Sequence, residues 1–112
     1  MGVGKLNMQV RYTAKAEKFI IALRNSELSR VERIVDLLEK HGNELGLPHS
    51  RHLGGGLLEL RVLGVPSFRL LYIFKGGDAY MLHGFTKKTN RTPKKEINLA
   101  RAAARDIDEY NV

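Results

Sequence analysis

The stretch that most constrains the fold runs from Leu57 to Phe85, LLELRVLGVPSFRLLYIFKGGDAYMLHGF. It holds three apolar-alternating runs separated by two turn sequences, Gly64-Val65-Pro66-Ser67 and Lys75-Gly76-Gly77-Asp78. Side chains along a strand point to opposite faces in turn. Leu58, Leu60 and Val62 therefore share one face, with Glu59 and Arg61 on the other. Phe68, Leu70, Tyr72 and Phe74 oppose Arg69, Leu71 and Ile73, and strict alternation sets Tyr80 and Leu82 against Met81, His83 and Phe85. Connections this short join antiparallel neighbours, so the three runs predict a meander.

A small sheet needs its apolar face covered, and the N-terminal half supplies the cover. Residues 1–6 read as a loose leader, and Met8 to Tyr12 as a short first strand. Thr13 can cap a helix through Arg24, with Ala16, Phe19, Ile20 and Leu23 on one side. A second helix starts between Ser26 and Ser29 and runs to about His41, with Val31, Ile34, Val35 and Leu38 as its stripe. Ser29 and Glu32 fit a capping box and Gly42 a stop. Asn43 to Gly56 reads as loop. Thr92 and Pro93 read as N-cap and first residue of a last helix whose narrow seam is Ile97, Ala100, Ala104 and Ile107. The expectation is a single α+β domain over residues 1–112 in the order β-α-α-β-β-β-α. A helical hairpin packs on a small twisted antiparallel sheet, followed by a C-terminal helix.

Charge narrows the partner. From Arg51 to Lys95 the chain carries nine Lys and Arg against two acids, Glu59 and Asp78; that local balance of +7 equals the net charge of the whole chain. Everything outside the window sums to zero, so the excess has a place, and a polyanion is the expected partner. The absence of cysteine excludes disulfides and Cys-based metal or thiolate chemistry, and agrees with a cytoplasmic location. His49 and His52 are three apart but have no acidic or Cys neighbours, so no metal is expected there. No apolar run is long enough for a membrane span, and no long basic amphipathic helix suggests a membrane surface.

The run Leu58-Glu59-Leu60-Arg61, the pattern Phe68-Arg69-Leu70-Leu71-Tyr72 and the closing Leu82-His83-Gly84-Phe85-Thr86-Lys87-Lys88-Thr89-Asn90-Arg91-Thr92-Pro93 resemble HigB-type toxins of the RelE/ParE superfamily, in its phage-derived branch. The resemblance extends from about Tyr12 to Ala104, with its specific part in residues 57–95. It implies a RelE-like fold of the kind just outlined. It also implies a ribosome-dependent mRNA endonuclease, neutralised by a cognate HigA-like antitoxin with a helix-turn-helix domain, with no small-molecule cofactor. A ParE-like inhibitor of DNA gyrase without nuclease activity, or an inactive phage-derived protein that only binds RNA or a partner, is the alternative.

Metal-free RNA cleavage needs a base for the 2′-hydroxyl, cations for the phosphorane charge and an acid for the departing 5′-oxygen. Arg61 and Arg69, on adjacent strands and facing away from the apolar positions, are the candidates for the phosphate, because a guanidinium fork can hold two oxygens at once. His83 is the preferred acid/base, Phe85 a platform for an unpaired base, and Lys87 continues the positive edge. Lys88, Arg91, Lys94 and Lys95 are candidate contacts to RNA or ribosome phosphates. Glu59 stands where RelE-like members carry a lysine. It is either a general base or an ion-pairing partner that orients Arg61 or Arg69, and the second is favoured because crowding cations keep a carboxylate weakly basic. Tyr72 falls with the core residues of its strand.

Overall fold

The computed structural model describes residues 8–110, so the leader read at residues 1–6 lies outside the described residues. In chain order the elements are β1 (Val10–Tyr12), α1 (Ala14–Ile21), α2 (Asn25–His41), a 3-10 turn (Gly42–Glu44), β2 (Ser50–Gly54), β3 (Leu57–Val62), β4 (Phe68–Lys75), β5 (Asp78–Thr86) and α3 (Lys94–Tyr110). The class is mixed α+β, with three helices on one five-stranded sheet ordered β1-β5-β4-β3-β2.

Two features of the sheet differ from the sequence reading. Ser50–Gly54, read as loop, is a fourth strand after the helices, antiparallel to β3. It is an edge strand with mostly exposed residues, so no apolar alternation marks it; its partner's backbone defines it. The sheet is also not wholly antiparallel, because β1 pairs parallel to β5. These two strands lie far apart in sequence, and no hairpin fixes their direction.

Helix ends shift for identifiable reasons. Thr13 does cap α1, its hydroxyl accepting from the Ala16 N–H at 3.1 Å, but the helix stops at Ile21. α2 begins at Asn25 rather than between Ser26 and Ser29: the Glu27 carboxylate accepts from the Arg24 N–H at 2.9 Å. Ser29 is already inside the helix, its hydroxyl donating to the Asn25 carbonyl at 3.0 Å. α3 begins at Lys94, and the Thr92 hydroxyl donates to Glu59 instead of capping the helix.

The sheet has a core on each side. On one face Leu58, Leu60, Val62, Phe68, Leu70, Tyr72, Ala79 and Met81 are buried with Ala16, Val31, Val35 and Leu38 of the helical hairpin. Phe19 meets Phe68 edge-on at 5.9 Å. Gly84 permits that contact, since a Cβ there would lie 2.4 Å from the Phe19 ring. On the other face Leu57, Leu71, Leu82 and Phe85 are buried with Ala100, flanked by Ile97, Ala104 and Ile107 of α3.

Strict alternation fails in β5. Leu71 pairs with His83 but Tyr72 pairs with Met81, so Leu82 is an extra residue in the ladder. Tyr80, Leu82 and Phe85 therefore all belong to the α3 side, and Met81 to the hairpin side. Strict alternation groups Met81 with His83 and Phe85 and sets Leu82 against them, and the ladder corrects this. A bulge inserts one residue and reverses the parity beyond it, which periodicity alone does not reveal. Among the described residues no helix is long and apolar enough to cross a membrane.

Candidate functional site

Where the apolar residues of the α3 face end, the same face turns polar. β3 contributes Glu59 and Arg61, β4 contributes Arg69, and β2 contributes Arg51 from the edge. In the ladder Arg51 stands opposite Glu59 and Arg61 opposite Arg69. These four residues, with Lys87, Thr89 and Asn90 from the segment after β5, line one pocket of about 250 Å³. That segment is tied down at both ends. The Lys87 N–H donates to the Ser67 carbonyl at 2.8 Å and its ammonium to the Asn90 carbonyl at 3.0 Å, while Thr92 donates to Glu59.

Glu59 is the hub. It is 1% exposed, and a carboxylate so buried must be paired. Its Oε1 lies 3.3 Å from Arg51 Nη2 and 3.8 Å from Arg69 Nε, and its Oε2 accepts from the Thr92 hydroxyl. Arg69 is itself buried, and its Nη1 donates to the Phe68 carbonyl at 2.9 Å, but its Nε has no hydrogen-bond partner. Burial lowers the Arg69 pKa from the ordinary guanidinium value; Glu59 opposes that fall, and Arg61 and Arg51 add to it. Lys87 is lowered too, first by burial and then by the charge of Arg69. Four cations around one anion leave the pocket with unbalanced positive charge and an unused buried donor. A phosphate supplies what both lack.

The pocket thus brings together Arg61, Arg69 and Lys87 with Glu59 and adds Arg51, Thr89 and Asn90, with Thr92 joined to it through Glu59. Arg51 escapes notice in the sequence because its strand has no apolar alternation, and Thr92 because it fits a helix cap. Residues 18–105 match the family described as phage-derived protein Gp49-like (DUF891). The chain belongs to this family. Gp49-like proteins are a RelE toxin-like family and are commonly the toxins of toxin–antitoxin pairs. No curated protein matches the chain.

Other expected site residues of this Gp49-like chain lie elsewhere. His83 is buried on the α3 face, its Nε2 2.6 Å from Glu96 Oε1, and is not among the residues lining the pocket. Its ring stacks on Phe85 at 5.9 Å, and Phe85 is buried in the core beneath α3. The pair ties β5 to α3, which leaves Phe85 no open face for a base. Lys88, Arg91, Lys94 and Lys95 are exposed, on the segment after β5 and the first turn of α3, outside the pocket.

Proposed function

We propose that this chain is the toxin of a type II toxin–antitoxin pair and a metal-independent endoribonuclease acting on ribosome-bound mRNA in the cytoplasm. The observation that carries the reading is the pocket in which Arg51, Arg61, Arg69 and Lys87 surround the buried Glu59. Arg61 and Arg69 hold the non-bridging oxygens of the scissile phosphate. As the 2′-hydroxyl gives its proton to solvent water and its oxygen attacks phosphorus, they stabilise the extra negative charge while the bond to the 5′-oxygen breaks. Lys87, a cation of lowered pKa at the pocket wall, donates the proton to the departing 5′-oxygen. Both oxygens of Glu59 are engaged, which supports an orienting role over that of general base. Lys88, Arg91, Lys94 and Lys95 add salt-sensitive contacts to RNA phosphates. The two lysines at the start of α3 stand where the helix dipole disfavours cations, and a nearby phosphate offsets that cost. The partner that silences the toxin is a HigA-like helix-turn-helix antitoxin.

Induction followed by mapping of transcript ends tests the reading. The expected result is rapid arrest of translation, cuts within translated messages, little cleavage of free RNA, and loss of all three effects in Arg69→Glu. Filamentation and DNA damage with intact transcripts would replace this reading with inhibition of DNA gyrase.

A further inference from the structure

The basic pocket keeps one of its donors free, and the use of that donor rests on the proposed role of the pocket in holding RNA phosphate. Arg69 Nε is buried, lies 3.8 Å from Glu59 Oε1 and makes no hydrogen bond. A carboxylate that close to a guanidinium normally closes the gap, because a charge-assisted bond is short and strong. Here it does not. Glu59 has its Oε1 engaged by Arg51 Nη2 at 3.3 Å and its Oε2 by the Thr92 hydroxyl. Arg51 also reaches the Thr92 hydroxyl, at 3.4 Å. The carboxylate is held between β2 and the segment entering α3, and so cannot swing towards β4.

We propose that Thr92 is a positioning residue of the pocket: by occupying Oε2 of Glu59 it keeps the carboxylate from capturing Arg69, and so reserves Arg69 Nε for a phosphate oxygen. Without the hydroxyl, Oε2 is a buried acceptor with no partner, a costly state that a turn of the carboxylate towards the unpaired Arg69 Nε relieves. Arg69 then turns from the pocket into a private ion pair with Glu59. The segment carrying Lys87, Thr89 and Asn90 loses the second of its two ties at the same time and keeps the bond from the Lys87 N–H to the Ser67 carbonyl. Thr92 thus acts on the phosphate only through Glu59 and Arg69.

The test uses the full chain with ¹⁵N-labelled arginine side chains, Thr92→Val, which removes the hydroxyl and keeps the branched shape, and Thr92→Ser, which keeps the hydroxyl. In the free protein, the Arg69 Nε–H resonance of Thr92→Val should shift and its hydrogen exchange slow at least severalfold, with Thr92→Ser resembling the parent. Affinity for a short single-stranded RNA made uncleavable by 2′-O-methylation should fall about tenfold in Thr92→Val and return in Thr92→Ser, while the thermal midpoints stay within a few degrees. Should Thr92→Val not fold, Thr92→Ala carries the same comparison. An Arg69 Nε–H signal unchanged by loss of the hydroxyl overturns the positioning role, whatever the RNA result. A parent protein that binds no RNA, with the Nε–H signal responding as expected, overturns the phosphate reading and leaves the positioning role standing.

Discussion

Arg61 and Arg69 stand directly opposite each other in the β3–β4 ladder, on the sheet face that also carries Glu59. Like charges at directly opposed positions destabilise a sheet, by about 0.2–1 kcal/mol on the usual scale of cross-strand pairs. The fold tolerates the clash, and one buried carboxylate offsets it only in part. Two guanidiniums kept side by side are what the proposed phosphate site calls for.

Arg61→Ala should therefore separate stability from binding. Removing one of the opposed charges leaves the fold as stable or slightly more stable in urea denaturation. At the same time the slope of log affinity against log salt for a single-stranded RNA falls by about 0.7, the share of one phosphate contact. An unchanged slope would show that Arg61 touches no phosphate.

Glu59→Ala should do the reverse and damage the fold. It leaves Arg69 buried without a counter-charge, and breaking a buried pair in this way costs about 3–5 kcal/mol. Adding Arg69→Leu to Glu59→Ala should recover part of the loss, because the uncompensated charge is then gone. A double variant no more stable than Glu59→Ala would mean that Glu59 contributes through Arg51 and Thr92 instead.

The pair His83–Glu96 joins β5 to α3. His83→Ala and Glu96→Ala should each lower stability by about 1.5–3 kcal/mol, the range for a hydrogen bond to a charged group. The folded fraction of each should keep most of its cleavage on ribosomes. A hundredfold loss of cleavage at unchanged stability would return His83 to the reaction itself.

Lys87 gives the site a pH dependence. Its pKa is lowered from the ordinary lysine value by burial and by Arg69, so as pH rises it loses its charge earlier than an exposed lysine does. RNA affinity should weaken on the alkaline side before ordinary lysines titrate, and Lys87→Arg should remove that early fall. For folding the sign is opposite: the folded state binds this proton less tightly than the unfolded state, so stability rises with pH between the lowered folded pKa and the unfolded one. Affinity measured against pH in parent and Lys87→Arg, beside urea denaturation over the same range, checks both.

Much of the fold could be read from local pattern. Leu58, Leu60 and Val62 against Glu59 and Arg61 assigned the faces of β3, and Phe68 to Phe74 did the same for β4. Gly76 and Gly77, at φ 59° and 85°, make the tight β4–β5 turn that their sequence announces. The stripes of α1, α2 and α3 were visible because an amphipathic helix repeats its apolar residues every three or four positions.

What periodicity could not decide was every relation between segments distant in the chain. The strand Ser50–Gly54 has no apolar alternation of its own and exists because β3 offers it an edge, so Arg51 entered the site only with the ladder. The extra residue Leu82 reversed parity within β5. Contact with α3 left His83 facing Glu96 instead of the pocket. Thr92 looked like a helix cap by sequence; a carboxylate 33 residues away took its hydroxyl. Sequence determined which residues lie on which face, because that follows from bond geometry along one strand or helix. Tertiary structure decided which of them meet, because the partners of a buried charge are set by packing between segments that the chain does not place side by side.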